Sequence, residues 1–478
     1  ADLLAPVASL DILDTSPWLL DLADTAALIA NLDVVVAVDT AVAHLAGAMG
    51  KKVLLMLRRR ADWRWGRDRR DSYWYQDVEV FRQAEEGNWA DVVDAVATRL
   101  DVLGSARAHP DQKVAARQRT AAHAHAPAPA LRQSLASPPL ALALTRFDTW
   151  LRGAALPLWA SQGWSPQAGF AECLTFDGAM IEPGYRRLRV LARQSAVYNQ
   201  AAALGLGPYR DQADESWERL LGAWTATRGW AARLDPAGAA CDVTFDLYDQ
   251  AFALFALACR VEATGSLGPL PLALESLQII DRRLRAEGQA GWRSQPEATT
   301  RAQNPHMHLL EALLRLRRQA RLPMVDVWIN ELLELAAHHL YDADSGAIVE
   351  EFRDDWQPLP AAQRVVEPGH QCEWYCLLEE AEAAGFACAL DKATLVDFAR
   401  RFGLDRRAGL FVDRCTPGGR MLERRFRLWP QLEAIKALAL QGQTTHAALA
   451  RLIERTMDAF LPDRLGGLWL DRIDARGK

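Results

Sequence analysis

The stretch NPHMHLLEALL, running from Asn304 to Leu314, decides how this chain is read. Asn304 is a suitable N-cap, because its side chain can accept from a free backbone amide, and Pro305 suits a first helical position, where no N–H is needed. His308 then falls in the first turn of the helix, where the positive end of the helix dipole disfavours imidazolium and lowers its pKa. A second stretch, EPGHQCEW from Glu367 to Trp374, repeats the design. His370 begins that helix, and Glu373 lies one turn later on the same face, able to orient or charge-pair with it. Neutral imidazoles at helix mouths suit proton abstraction beside a carbonyl. Each motif reads equally well as a satisfied structural histidine.

A zinc ion shared by His306, His308, His370 and Glu373 is the competing reading. Two residues two apart on a helix point about 200° from each other, so His306 and His308 would not share a metal. No metal is expected. The pair His338-His339 lies between apolar residues and reads as core and rim.

Outward from these motifs, helical periodicity recurs in about eleven segments, near Phe147, Arg186, Asp214, Leu247, Pro271, His306, Val325, Gln371, Asp391, Arg427 and Thr445. Gly, Pro and Asp separate them, and strands are hard to find. Fixed short repeats are missing, so a closed barrel of helices is expected rather than a solenoid. Upstream, Ser105 to Thr145 is rich in Ala and Pro and reads as a flexible linker. His123 and His125 within it have no further ligands nearby. Before the linker the pattern is α/β. A buried β-branched run at Val34–Val38 leads through Asp39-Thr40 into a helix that Gly50 stops, and a second strand follows at Val53–Leu57. Asn88 to Leu103 then forms a helix with Trp89, Val92, Val93, Val96 and Leu100 on one face.

Composition narrows the function. The net charge of −6 lacks the basic footprint of a nucleic-acid binder. The Arg-rich loop Arg58–Arg70, with Trp63 and Trp65, reads as solvated, since Asp62 and Asp68 partly neutralise it. The longest apolar run, Ala251 to Cys259, is nine residues, too short to span a bilayer. No signal-peptide pattern opens the chain, and its seven cysteines form no CxxC pair, so a cytoplasmic protein with free thiols is expected. The 17 tryptophans suggest platforms for the apolar faces of a sugar.

Two resemblances sharpen these readings. DTAVAHLAGAMGKKV (Asp39–Val53), the DWRWGRDRRDSYWY loop (Asp62–Tyr75) and the helix after them resemble the C-terminal half-domain of family 9 glycosyltransferases, the heptosyltransferase type, over about 21–104. That resemblance implies a partial Rossmann-like segment with Asp39, Thr40 and His44 near a sugar-nucleotide pyrophosphate. By residue chemistry alone, Asp39 and Thr40 equally suit an ordinary helix cap. The family's N-terminal domain has no counterpart here, so transferase activity is not expected of this piece.

From about Arg146 to Lys478 the chain resembles the N-acylglucosamine 2-epimerase superfamily, in its phosphomannose-isomerase-like branch. The matching runs are GFAECLTFDGAMI, RRLRVLARQSAVY, DLYDQAFALFALA, NPHMHLLEALL, EEFRDDW, EPGHQCEW and RLWPQLEAIKA, in that order. This implies a mainly α fold, an (α/α)6 barrel with the sugar site at the mouth formed by inner-helix ends, and no cofactor. It implies that Arg193 faces the carbonyl or enediolate oxygen, that Asn304 and His308 line the site, and that His370 with Glu373 is the acid–base pair. Trp429 and Trp374 would wall the sugar. Family members continue past Gly466–Lys478 into a segment carrying a second acid–base histidine, and His446 does not align with it. A chain truncated at both ends, or a fusion fragment, is therefore expected.

The leading functional expectation is an aldose–ketose isomerase of mannose or mannose 6-phosphate working through a cis-enediol. A 2-epimerase competes within the same class. A catalytically impaired glycan-binding fragment competes from outside it. Arg186, Arg187 and Arg189 could hold a 6-phosphate or simply face solvent. The expected partner is a small sugar or sugar phosphate, with no nucleic acid and no membrane span. A homodimer is a candidate assembly.

Overall fold

Where an amide-accepting side chain or a proline precedes an apolar periodic run, this chain starts a helix. The computed structural model describes residues 22–59, 61, 65, 70–72, 74–105, 138–286 and 288–474. They fall into two units.

In the first unit, α1 (Leu22–Asn31), β1 (Val35–Val38), α2 (Ala41–Ala48), β2 (Val53–Leu57), β3 (Val78–Arg82) and α3 (Ala90–Ser105) follow in order. The sheet order is β1-β2-β3, with both pairs parallel. Val53, Leu55 and Leu57 are buried with Val78, Val80 and Ala46, as expected of β-branched and aliphatic strands covered on their faces. The sequence reading missed β3. It also placed Val93 on the apolar face of α3, but Val93 is 52% exposed, while Val92 and Val96 are buried. Much of the Arg-rich loop, including Trp63, lies outside the described residues, as do His123 and His125.

The second unit begins earlier than the expected linker end. Pro138 and Pro139 open α4 (Pro138–Trp150), which runs through a π-turn at Leu151–Ala155 into a last stretch, Leu156–Ser161. Prolines cost nothing in the first turn of a helix, where amides have no partner to lose. Helices then alternate between an inner and an outer ring. The inner ones are α5 (Leu188–Ala203), α7 (Leu247–Thr264), α9 (Gln303–Gln319), α11 (Pro368–Ala383) and α13 (Leu428–Leu440). The outer ones are α4, α6 (Arg210–Leu221), α8 (Leu270–Leu284), α10 (Pro323–Leu335), α12 (Lys392–Phe398) and α14 (His446–Phe460). This is the (α/α)6-barrel architecture, with all eleven expected helices present among the described residues. Inner helices are buried nearly all round, as α7 shows from Leu247 to Val261, and Asp246 caps it by accepting from the Tyr248 and Asp249 amides. Truncating a leucine such as Leu310, fully buried on α9, is expected to cost about 2–5 kcal/mol.

A repeat is present that the sequence reading did not find. Outer helices end in a tight hairpin whose glycine has positive φ, as at Gly169, Gly229, Gly291, Gly346 and Gly409. One side chain on the next inner helix, buried in every case but the half-buried Gln194, clamps each hairpin. Gln250 holds the Trp230 backbone, Gln371 that of Ile348, and Gln431 that of Phe411, each accepting from the amide and donating to the carbonyl. Gln194 donates to the Ala171 carbonyl, and His306 Nε2 accepts from the Trp292 amide. The separation from hairpin to clamp varies from 14 to 23 residues, which hides the repeat from a fixed-period search.

Candidate active site

The clamps set a common register for the inner helices. The residue before each clamp is Arg193, Asp249, Pro305, His370 or Pro430, and the residue two after it is Ala196, Phe252, His308, Glu373 or Glu433. Three residues make nearly one helical turn, so these two positions share the face turned to the lumen.

One wall joins Arg193, Tyr248, Phe252 and His308. Arg193 donates to Tyr248 Oη at 2.9 Å, and its guanidinium lies 3.8 Å from the Phe252 ring centroid. Tyr248 and Phe252 meet the His308 ring at 5.0 and 4.7 Å between centroids. His308 Nδ1 bonds Glu311 Oε2 at 3.0 Å and lies 3.7 Å from Glu373 Oε1. Its Nε2 makes no hydrogen bond to a described residue. Burial pulls the His308 pKa below the ordinary histidine value, outweighing the opposing pull of Glu311. The expected direction holds, but its cause differs. The helix begins at Gln303, so Asn304 is inside it rather than capping it, and His308 sits in the second turn. Asn304 is partly buried, and its Oδ1 has no hydrogen-bond partner among the described residues.

On α11, which packs beside α9, the tilted His370 ring meets Trp429 at 4.8 Å between centroids, and the Trp429 ring also lies 5.3 Å from the Arg427 guanidinium. A Cβ on Gly369 would sit 2.5 Å from Trp429 Cζ3, so only glycine lets that indole reach the histidine. His370 Nδ1 bonds Glu350 Oε2 at 2.9 Å, and Gln303 Nε2 is also 2.9 Å away. Glu350 is placed by an antiparallel pairing of β4 (Thr300–Ala302) with β5 (Glu351–Arg353), continued by the Gln303 amide bonding the Glu350 carbonyl. Burial works against the charged form, but Glu350, Glu367 and Glu373 outweigh it and lift the His370 pKa to about 9. His370 is therefore an imidazolium at neutral pH, not the neutral base expected.

Glu373 does not pair with His370 as the spacing suggested. It stands between the two histidines, nearer His308, and burial with the charges of Glu433 and Glu311 pushes it well above the usual carboxylate range. Glu311 goes the other way: burial raises it, but the hydrogen bond with His308 leads the opposing pulls that hold it below its ordinary value. Lys436 pairs with Glu433 at 2.7 Å and is 52% exposed. Trp374 does not wall the site. It is 0% exposed, and its Nε1 donates to Gln303 Oε1 at 2.7 Å.

Metal-ligating atoms of His308, Glu311 and Glu373 lie within 4.8 Å of one another, a set that could hold a divalent cation. His306 is not part of it. Its two nitrogens bond the Ala302 carbonyl and the Trp292 amide, and burial takes its pKa to about 4. His338 is exposed and paired with Glu334. The three arginines opening α5 all have carboxylate partners: Arg186 with Glu182, Arg187 with Glu172 and Arg189 with Asp249. No helix among the described residues is long and apolar enough to cross a membrane.

The N-acylglucosamine 2-epimerase family model matches residues 169–478. The chain belongs to that family. It is a carbohydrate isomerase or epimerase. A curated relative, the mannose-6-phosphate isomerase of Rhizobium meliloti (strain 1021), is 33% identical over 350 residues, covering 69% of this chain and 89% of the relative. The D-mannose isomerase of Pseudomonas cannabina pv. alisalensis is 26% identical, over 50% of this chain and 63% of its own. Among solved structures, the cellobiose 2-epimerase of Spirochaeta thermophila DSM 6192 superimposes with a TM-score of 0.63 at 24% identity, covering 73% of this chain and 92% of its own. The glycosyltransferase family 9 (heptosyltransferase) model matches residues 19–73.

Within the epimerase-family site, sequence reasoning missed Glu311, Glu350, Gln303 and Tyr248. Glu311 stands three residues after His308, the same spacing that was used to pair His370 with Glu373, and Glu350 opens the quoted EEFRDDW run. In the first unit, Asp39 Oδ1 lies 3.5 Å from His44 Nε2, and His44 Nδ1 meets Tyr75 Oη at 2.9 Å. Thr40 precedes α2 without capping it, because its hydroxyl donates back to the Val38 carbonyl at 3.3 Å.

Proposed function

We propose that the barrel interconverts unphosphorylated mannose and fructose through a cis-enediol, with His308 as base and His370 as acid. The observation that carries this reading is the contrast between two histidines lining one lumen, His308 bonded to Glu311 and drawn toward its neutral form by burial, His370 bonded to Glu350 and held toward its protonated form. Pairs of titratable groups pushed apart in pKa mark acid and base roles. Neutral His308, its Nδ1 proton held by Glu311, takes the carbon-2 proton through Nε2. Imidazolium His370 gives a proton to the carbon-1 carbonyl oxygen, and the carbon-1–carbon-2 double bond of the enediol forms. His308 then returns its proton to carbon 1, and His370 recovers one from the oxygen on carbon 2, which becomes the ketone. Protons balance and both histidines return to their starting states. Arg193 stabilises the developing oxyanion, and Trp429 and Asn304 hold the sugar. A single neutral base favours transfer between adjacent carbons over inversion, which asks for bases on opposite faces.

The paired arginines at the start of α5 support a neutral sugar. A phosphate dianion would have to displace Glu182, Glu172 or the buried Asp249. In deuterated water, mannose is expected to give fructose deuterated at carbon 1, with and without chelator, and mannose 6-phosphate is expected to be turned over poorly. Glucose as the product would replace isomerisation by epimerisation. Loss with EDTA and rescue by a divalent ion would move the chemistry to a cation at His308, Glu311 and Glu373. Sugar binding without any exchange would leave the glycan-binding reading.

A further inference from the structure

Gln303 is 0% exposed and sits among groups that leave its amide one orientation. An indole N–H can only donate, so the oxygen of Gln303 must face Trp374 Nε1, at 2.7 Å. Its NH2 is thereby turned toward Glu350 Oε2 at 2.8 Å and His370 Nδ1 at 2.9 Å. An amide N–H offers no lone pair to His370. A proton on Nδ1, as in the imidazolium, can therefore be accepted only by Glu350, whose carboxylate is held in place by Gln303 from the side and by the Glu367 amide at 3.0 Å. A flipped amide would instead offer an oxygen to Nδ1 and a second donor to the indole.

We propose that Gln303, locked by Trp374, is a positioning residue for the reaction proposed above. It holds the Glu350 carboxylate on His370 Nδ1 and so keeps Nε2 as the nitrogen presented to the sugar. Which ring nitrogen of a histidine carries the proton is set by the bond the other makes, and here that choice is made two residues away from the ring. The inference rests on the assignment of His370 to the reaction. The amide lock itself is independent of substrate. Charged and titratable groups facing His370 are Glu350, Glu367 and Glu373, with His308 and Glu433 on the neighbouring inner helices, and Arg414 and Arg427 bound to Glu367.

The test reads the His370 ring directly by 15N NMR of the full chain, its signal assigned by its loss in His370→Asn. Above the titration midpoint the wild-type ring is expected to hold its proton on Nδ1. In Gln303→Leu, and in Trp374→Phe, which keeps the aromatic volume but removes the donor, the Nε2–H tautomer is expected to appear. Turnover of mannose should fall about tenfold or more in both, mainly in kcat, with KM within about threefold. Gln303→Glu places a second carboxylate oxygen beside Nδ1 and should raise the midpoint. A folded Trp374→Phe or Gln303→Leu variant with the wild-type tautomer overturns the proposal, even if turnover and Tm fall. Absence of mannose turnover in the wild type would overturn the substrate assignment and leave the tautomer result to be read by itself.

Discussion

Helices α9 and α11 each carry a histidine three residues ahead of a glutamate, yet only one of these pairs forms. His308 and Glu311 meet at 3.0 Å, whereas His370 turns from Glu373 to Glu350 on another segment. Position along the helix explains the difference. Side chains lean toward the helix N-terminus, so His370, third in α11, reaches past the helix end to the strand-edge carboxylate. His308, a turn deeper in α9, has only lumen residues within reach. The same residue type at the same spacing thus becomes an imidazolium in one place and a neutral imidazole in the other. Helical spacing permits a pair. Surroundings decide whether it forms and which charge state results.

The strongest way to break this comparison is to remove each imidazole in turn. His308→Asn and His370→Asn are each expected to lower kcat by about 10²–10⁴, the usual worth of positioned acid–base groups, with sugar affinity kept within about tenfold. His308→Asn should also abolish deuterium uptake at carbon 2 and carbon 1. If it keeps wild-type exchange while His370→Asn loses it, the acid and base are reversed.

A smaller perturbation leaves both rings and changes one charge. The His370 pKa is raised by its carboxylates, and its proposed acid role requires the protonated form, so activity should fall as pH rises through about 9. Glu350→Gln removes the largest favourable charge while keeping a hydrogen-bond acceptor. The alkaline limb of kcat/KM should then move to lower pH by more than about one unit. The acid limb, which reports His308, should stay in place. Linkage gives an independent check. A raised pKa contributes stability that is full below the unfolded value, about 6.5, and lost as pH rises through about 9, so Glu350→Gln should flatten stability over that window. An unmoved alkaline limb would assign it to another group.

The eleven helices were legible from their helical periodicity, helped at some starts by a cap or a proline, as at Asp246 and at Glu367-Pro368. The strands of the hairpins were not legible, being two residues long and defined by a positive-φ glycine and a clamp from a distant helix. His308, Arg193, Trp429 and His370 were named from motif and resemblance, and they lie on inner helices of the barrel. Their carboxylate partners were harder to read. Glu350 approaches His370 only through the pairing of β4 with β5, a contact between segments about fifty residues apart at Thr300 and Arg353. Trp374 was misread because an aromatic beside a site motif looks the same whether it faces a sugar or, as here, the amide of Gln303.

The smallest expected effect tests the register itself. His306 occupies the position held by Gln194, Gln250, Gln371 and Gln431 on the other inner helices. A glutamine there could accept from the Trp292 amide and donate to the Ala302 carbonyl, matching both bonds His306 makes. His306→Gln is therefore expected to fold and turn over sugar normally at pH 8, with Tm within a few degrees of wild type. The difference should emerge in acid. Burial depresses the folded pKa of His306 to about 4, so the wild type loses stability as pH falls from about 6.5 toward that value, where the unfolded histidine takes up a proton first. Glutamine takes up none. Near pH 4.5 the variant should therefore gain on the order of 2 kcal/mol relative to wild type, compared with their difference at pH 8. Chemical denaturation at the two pH values measures this. A Tm loss above about 10 °C at pH 8 would show that the imidazole fills its site in a way glutamine cannot, and the shared register would not extend to α9.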